Sequence, residues 1–357
     1  MHGISQSVRS ALRSIMGRFY YFASLHRLAR RGQCVILAYH RVLPCDSSPG
    51  MFLQPGLYVT DRAFEQHILF LRKHYSIIPI GDLIHGWKTH SLDSHKRYCA
   101  LTFDDGWSDT YSNAFPIFLR HNVPATVFLP TTYIGTNRRF WTDTFAWLLA
   151  NVPMNAVRSH LANSVTHVLD GRRPLDSKFF TGDVPRARYE VFVWFKSVVA
   201  ALMDLPTSAA NEVIDEILRR AGQYPPRTRT FLTWDEVRTM SQHGISFGSH
   251  TCNHAVLTHL APDEVQSELV DSHRFLSSQC INYLPVFCYP SGITNQIVRG
   301  IAENGPYEAA FSTEPGAEGL VCSDRFRIRR IQVHEDVAQT KTDLAFHLAR
   351  LSGRART

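Results

Sequence analysis

The amino-acid sequence predicts an α/β fold in which parallel strands are joined by helices, arranged as a barrel or as a doubly wound sheet. Apolar runs of strand length alternate with helical stretches along the chain, an order typical of parallel sheets. A hydrophobic content of 44% in 357 residues is enough for a full core. Residues with catalytic or metal-binding chemistry follow directly after strand-like runs, where a barrel gathers its active site.

The alternation divides the chain into three parts. We expect a basic helical extension over residues 1–33, a barrel over 34–340 with a helical insertion over 137–230, and a C-terminal helix and tail over 341–357. The strand-like runs are residues 34–40, 98–103, 123–129, 244–247, 285–289, 308–311 and 326–333. The helical stretches are residues 62–74, 109–120, 189–203, 209–221, 262–279 and 294–304.

Two adjacent carboxylates end one of these strand-like runs. Asp104 and Asp105 follow the apolar residues 98–103, and Gly106 comes next. A buried ionised carboxylate is costly unless it is paired or binds a metal, so the pair indicates a site; the alternative is an ordinary capped turn. Neighbouring side chains of a strand point to opposite faces, so both acids can serve one site only if a turn begins there.

A histidine pair follows another strand-like run. His250 and His254 come after residues 244–247, and their spacing brings two imidazoles to one side if the backbone forms a helical turn. One carboxylate and two histidines leave coordination positions open, as in catalytic rather than structural zinc sites. A second carboxylate beside such a site is placed to act as a general base.

These two segments resemble known sequence motifs. Thr102–Gly106 and Ser249–His254 are similar to the first two motifs of the polysaccharide deacetylase family, also called the NodB-homology group or carbohydrate esterase family 4. The resemblance covers roughly residues 34–335 and implies a distorted (β/α)7 barrel with a helical insertion. It also implies the reaction: hydrolytic removal of an N-acetyl group from an amino sugar of a bacterial surface polysaccharide or a lipid-linked glycan precursor.

The resemblance assigns roles to the residues of these motifs. Asp104 is implied as the general base, and Asp105, His250 and His254 as the ligands of a divalent metal, for which we expect Zn²⁺. The substrate is then an N-acetylated glycan, and the products are acetate and a free amino sugar.

A third segment, Phe287–Gly292, resembles the motif that lines the pocket and stabilises the oxyanion. Four residues are expected to contact the substrate or the oxyanion: Trp107, Tyr289, Pro290 and Ser291. Two positions depart from the family pattern. Cys288 stands where many members carry an arginine that orients the base, and Ser291 replaces a tyrosine. A backbone N–H near Ser291 could still serve the oxyanion.

The basic segment 326–333 offers a replacement for the missing arginine. On a strand, Ile328, Arg330, Gln332 and His334 share one face. We predict that Arg330 orients Asp104 and that His334 protonates the leaving amine. The alternative is a basic edge strand with solvated side chains.

The insertion is rich in aromatic residues near its start. Trp141 is a candidate for a saccharide subsite, because aromatic faces suit sugar rings; a helix that packs its aromatic stripe in a core is the alternative. The seven cysteines form no CxxC spacing, and Cys34, Cys99 and Cys288 lie in apolar runs. This usage favours a reducing compartment, so we expect a cytoplasmic protein.

The N-terminal segment carries the whole formal net charge of +7. Residues 1–45 contain seven arginines and no acid, and the remaining 31 basic residues match the 31 acidic ones. Charge interrupts residues 8–28 too often for a transmembrane span. A basic amphipathic helix on the inner face of an anionic membrane is one interpretation, and a helix packed on the barrel is the other. Nucleic-acid binding is not expected, because the rest of the chain is balanced.

Two functions of other classes remain as alternatives. A catalytically weak or silent saccharide-binding protein of the same fold is consistent with Cys288 in the third motif. A non-haem iron oxygenase also uses two histidines and one carboxylate, although it needs no second carboxylate as base. Acetate release with zinc under anaerobic conditions distinguishes the deacetylase from both.

Overall fold

The computed structural model describes residues 6–25, 31–46, 56–169, 176, 179–180, 183–185 and 188–353. The chain forms two compact units. The first spans Met1–Ser47, Gly56–Thr136 and Arg229–Thr357, and the second contains Asn137–Thr228.

The helices and strands follow the alternating order that the sequence predicts. The strands are β1 Gln33–Tyr39, β2 Arg41–Leu43, β3 Tyr58–Thr60, β4 Ser76–Ile77, β5 Arg97–Phe103, β6 Thr126–Leu129, β7 Ser246–Ser249, β8 Tyr283–Cys288, β9 Ala309–Phe311 and β10 Ile331–Gln332. The helices are α1 Gln6–Phe22, α2 Asp61–His74, α3 Ile80–Thr89, α4 Phe115–His121, α5 Trp141–Asn151, α6 Met154–Leu169, α7 Arg188–Met203, α8 Thr207–Ala221, α9 Trp234–Gln242, α10 Pro262–Ser278, α11 Gln296–Glu303 and α12 Lys341–Ser352.

A parallel sheet forms the centre of the first unit. Its strands lie in the order β10-β1-β5-β6-β7-β8-β9, with β4 beside β5, and every pairing is parallel. β1 and β5 are buried along almost their whole length, which explains why they read as continuous apolar runs rather than as alternating ones. The predicted α/β fold with parallel strands is confirmed.

One short segment, residues 328–332, contacts both ends of the sheet. Ile328 bridges Phe311 of β9, and β10 pairs with Leu37 and Ala38 of β1. The sheet therefore curls until β9 and β1 are connected through this segment. Arg330 lies between the two pairings, and its side chain is completely buried.

The strand predicted over residues 326–333 is wrong in its extent. Regular pairing covers only Ile331–Gln332, because the segment changes partner on the way. The N–H of Ile328 donates to Ala310 of β9, the N–H of Arg330 donates to the carbonyl of Glu314, and only then does pairing with β1 begin.

The second unit is helical. Helices α5 to α8 enclose an apolar core that includes Phe145, Leu161, Phe195 and Ile217, all of them at most 1% exposed. α6 and α8 make its most extensive helix pair. Its core is that of a small helical bundle with a hydrophobic interior.

Candidate active site

The two adjacent carboxylates lie at a sharp turn after β5. The strand ends at Phe103, and Asp105 and Gly106 adopt left-handed backbone conformations with φ of 73° and 65°. A Cβ at position 106 would lie 2.8 Å from side-chain carbons of Leu129 and Ile134, so the turn is close-packed as well as left-handed. The turn removes the alternation of a strand and allows both acids to face the same region.

Asp105 forms a compact group with the two histidines. Its Oδ1 lies 3.3 Å from His250 Nε2 and 3.2 Å from His254 Nε2. One donor atom from each residue lies within 4.8 Å of the other two. Asp105 and His250 are buried, whereas the His254 side chain is 24% exposed, so this group opens to solvent on the His254 side.

Neighbouring groups fix the orientation of these three side chains. His250 Nδ1 donates to the carbonyl of Cys288 at 2.8 Å, since a carbonyl can only accept. The other ring nitrogen, Nε2, therefore faces Asp105, and it is the nitrogen that would bind a cation. The indole N–H of Trp107 donates to Asp105 Oδ2 at 2.9 Å. Burial opposes ionisation of Asp105, but hydrogen bonds from His250 and His254 outweigh it and hold its pKa well below the usual range. An anionic oxygen and two imidazole nitrogens fit a divalent metal.

The two histidines reach one point through a loop and not through the helical turn considered from their spacing. Thr251 and His254 have left-handed φ values of 65° and 53°. The carboxylate of Glu268, on α10, holds this loop by accepting from the backbone N–H groups of Cys252 and Asn253 at 2.8 and 2.9 Å, and from the Asn253 side chain. No local pattern marks Glu268, because its partners lie one element earlier in the chain.

Asp104 has quite different surroundings. The guanidinium of Arg330 donates to both of its carboxylate oxygens at 2.7 Å, so the contact expected between these residues is present. The Cys288 sulfur lies 3.6 Å from Asp104 Oδ2 and 2.8 Å from Arg330 Nη2, and His40 Nε2 lies 3.9 Å from Asp104 Oδ2. Burial raises the pKa of Asp104. The charge and the hydrogen bonds of Arg330 lower it by more than burial raises it, so the net shift is downward.

Two residues expected beside the substrate have no surface through which to touch it. Trp107 and Tyr289 are both 0% exposed. The indole N–H of Trp107 is taken up by its hydrogen bond to Asp105. The Tyr289 hydroxyl donates to the carbonyl of Phe326 at 3.0 Å. Their predicted substrate contacts are therefore corrected: in this structure Trp107 donates to Asp105 and Tyr289 packs in the core. Periodicity does not reveal which side of a loop faces the barrel interior.

The rest of the third motif is divided between core and surface. Pro290 is buried, and Ser291 is exposed with a left-handed φ of 57°. The Val333 N–H donates to the carbonyl of Ala38, which places His334 beside the end of β1, at the edge of the sheet that carries His40. His334 Nδ1 lies 3.5 Å from Asp336 Oδ2. The roles predicted for Ser291 and His334 stay predictions.

Trp141 lies in the second unit. It begins α5 and is partly buried against the apolar core of that unit. Its predicted contact with a saccharide stays a prediction.

Comparisons with known proteins find similar sequences and similar folds. A family model described as polysaccharide deacetylase matches residues 91–167 and 194–310. YxkH, a Bacillus subtilis protein assigned by name to the polysaccharide deacetylases, is 35% identical over 101 residues, which cover 27% of this chain and 36% of that protein. The poly-beta-1,6-N-acetyl-D-glucosamine N-deacetylase of Staphylococcus epidermidis is 22% identical over 200 residues, 53% of this chain and 60% of that protein.

Two solved structures share the fold. The Streptococcus pyogenes deacetylase PplD, solved in complex with acetate, superimposes with a TM-score of 0.56 at 19% identity, covering 89% of this chain and 99% of that one. IcaB from Ammonifex degensii gives 0.53 at 15% identity, covering 88% and 98%. The chain spans about a third and three fifths of the two curated relatives named above.

Proposed function

We propose, from the premise that this chain belongs to the polysaccharide deacetylase family, that it removes the N-acetyl group from an amino sugar of a bacterial glycan and that it requires a divalent metal. The observation that carries the proposal is the division of labour between Asp104 and Asp105. One acid is ionised by a buried guanidinium, and the other forms part of a group that suits a metal. A metal-dependent hydrolase needs both a base and a ligand set.

The residues of the chain supply most of the chemistry. A divalent ion held by Asp105, His250 and His254 would polarise a carbonyl and lower the pKa of a water molecule, and zinc suits these ligands. Asp104, kept ionised by Arg330, accepts the proton of the attacking water.

Two further groups complete the proposed reaction. A backbone N–H near the exposed left-handed turn at Ser291 donates to the developing oxyanion. His334, at the same edge of the sheet as His40, donates a proton to the leaving amine. Water adds to the acetamide carbon, the C–N bond breaks, and the products are acetate and the free amine.

The substrate we propose is an N-acetylated sugar in a surface polysaccharide or in its lipid-linked precursor. The S. epidermidis relative, which is named for N-deacetylation of poly-N-acetylglucosamine, supports this class. We also propose a cytoplasmic location at the inner face of the membrane. The seven free cysteines and the basic N-terminal segment support it.

Acetate release tests the proposal. The full chain is stripped of metal, reconstituted with zinc in anaerobic buffer, and supplied with a panel of N-acetylated oligosaccharides and lipid-linked glycans. We expect acetate from at least one substrate and a loss of roughly 10²-fold or more in Asp104→Asn, because a general base contributes that much. Asp235→Asn, which changes a carboxylate that is 90% exposed, is the matched control and should keep full activity.

Each alternative function has its own outcome. Tight glycan binding without acetate release in either protein would favour a silent saccharide-binding protein. Product formation only with iron and oxygen would favour an oxygenase. Equal acetate release by wild type and Asp104→Asn would refute the assignment of the base.

A further inference from the structure

Helix α1 presents two faces of very different character. Gly17 and Tyr20 lie on the face that packs on α12: a Cβ on Gly17 would lie 3.0 Å from the carbonyl oxygen of Thr342, and the Tyr20 ring lies 5.9 Å from that of Phe346. The opposite face carries five large apolar side chains, here called the stripe. Their exposed fractions are Leu12 49%, Ile15 62%, Met16 53%, Phe19 71% and Phe22 77%.

The stripe is continuous. At 100° per residue its five members fall within an arc of about 120°, the width of the apolar face of a helix that is buried against a partner. Among the described residues, five of the fourteen large hydrophobic side chains that are exposed belong to this one helix. Single exposed apolar residues are ordinary, but a contiguous row marks a surface that binds something.

Cations border the stripe. On the helical projection, Arg13 and Arg18 lie on its two sides. The guanidinium of Arg13 donates to the main-chain carbonyl of Asp336, and Arg18 is exposed. The first acid of the chain is Asp46, so the sequence that carries the stripe has no negative charge.

This combination of an apolar row and flanking arginines distinguishes between two partners. A second copy of the chain would bring two basic segments together, and like charges across an interface repel. Anionic headgroups above an acyl layer complement both features at once. No helix in the part of the chain that the structure describes is long and apolar enough to cross a bilayer.

We propose that the stripe docks on the surface of an anionic phospholipid bilayer, with its apolar side chains among the acyl chains and the flanking cations at the headgroups. The argument for docking does not depend on catalysis. Its benefit rests on the proposed function: Arg13 contacts the segment that follows His334, so docking would hold this edge of the barrel near glycans attached to lipid.

Vesicle sedimentation tests docking. The full chain is mixed with vesicles of phosphatidylglycerol and phosphatidylcholine, or of phosphatidylcholine alone. We expect binding to the anionic vesicles that weakens in about 1 M sodium chloride, where the Debye length is about 3 Å. Ile15→Asp with Phe19→Asp should lower the bound fraction about tenfold or more, because two members of the stripe no longer enter the bilayer. No substrate is present, so the result is independent of acetate release.

The matched control is Ile297→Asp with Val321→Asp. These residues are 61% and 58% exposed, close to the values in the stripe, and the added charge is the same. The control should bind as the wild type does. Equal binding of both double variants, or no binding of the wild type to anionic vesicles, would overturn the proposal. A wild-type dimer that the stripe variant converts to a monomer, without vesicle binding, would show that the stripe joins two copies and would overturn it as well.

A second measurement does not require acidic substitutions. Phe19→Trp places an indole in the stripe with little change in shape. Its fluorescence should be quenched by phospholipids that carry bromine on their acyl chains, whereas the fluorescence of an Ile297→Trp control should not. Equal quenching of the two, or none in the first, would contradict docking through the stripe.

Discussion

The Asp104 side and the Asp105 side of the site begin at adjacent residues but differ in the kind of partner they offer. Both oxygens of Asp104 accept from Arg330, whose guanidinium stays protonated at all accessible pH values. Asp105 faces His250 and His254, whose imidazole nitrogens are groups that can act as metal ligands. The first pair joins two opposite permanent charges, whereas the second group presents ligand atoms that suit a cation.

This difference shows how two adjacent carboxylates acquire different chemical surroundings. A permanent cation keeps Asp104 ionised and takes one lone pair on each of its oxygens, which leaves the other lone pairs able to accept the proton in the proposed reaction. Titratable neighbours leave Asp105 available for coordination. The chemistry of each carboxylate is therefore set by its neighbours in space.

The largest expected effect is a difference in metal content between variants of Asp105 and variants of Asp104. Asp105→Asn should lose the bound metal on dialysis and at least about 10³-fold of the activity, because the ligand group loses its only anion. Asp104→Asn should keep the metal after the same dialysis while losing turnover. Elemental analysis of the two proteins alongside acetate release measures this. Equal metal loss in Asp105→Asn and Asp104→Asn would contradict the assignment of Asp105 as ligand and Asp104 as base.

The buried ion pair should dominate stability. Arg330→Met should lower the free energy of unfolding by about 3–5 kcal/mol, because Asp104 becomes a buried charge without its partner. Adding Asp104→Asn should recover much of that loss. Urea unfolding at neutral pH measures both. The control Arg327→Met breaks a pair with Glu314 that is 43% exposed on the arginine side, and should cost less than about 1 kcal/mol. Equal losses in the two variants would contradict this account.

The Asp105 side depends on the loop that Glu268 holds. Glu268→Gln should weaken metal affinity by about 10–100-fold, since one of the two side-chain oxygens becomes an NH₂ group that cannot accept. Competition with a chelator measures the affinity. Asp271→Asn, on the same helix, changes an exposed carboxylate that pairs with Arg274, and it should leave the affinity unchanged. An unchanged metal affinity in Glu268→Gln would show that Glu268 does not position the histidine loop for metal binding.

The smallest effect concerns the pH profile of the Asp104 side. Arg330→Lys keeps the charge but replaces two hydrogen bonds with a point charge, so the pKa of Asp104 should rise. The base must be ionised, and therefore the acidic limb of kcat/KM should move to higher pH, with activity unaffected well above it. Arg329→Lys, which changes the adjacent pair with Glu318, should not move the limb. A shift in both variants would point to a general loosening of the segment.

Much of the site could be predicted because its residues follow strands directly. Asp104, Asp105, His250 and His254 come after β5 and β7, and the carboxyl ends of parallel strands meet at one edge. Local sequence predicts these positions because the end of a strand can be recognised from the pattern of that strand alone. Arg330 also contacts Asp104 as predicted, but residues 328–331 are all buried, so alternation along a strand is not the reason.

Other features depend on how elements meet, which local sequence does not contain. Trp107 and Tyr289 are buried in part because they contact Phe231 and Phe326, which are distant from them in the sequence. Glu268 is one of several polar residues on α10, and only packing determines which of them faces the histidine loop. The strand predicted over 326–333 is too long, because a periodic pattern does not show where a segment changes its pairing partner.

The segment that connects β9 to β1 also sets an order of events during folding. Arg330 is 226 positions beyond Asp104, so the pair has one of the longest sequence separations in the barrel. Contacts of this kind form late, because a long loop must close before they stabilise anything. While the chain is being synthesised, β5 is complete long before its counter-charge exists. Asp104 therefore gains its counter-charge only when the barrel has closed, and the activity proposed for this site would report the completion of folding.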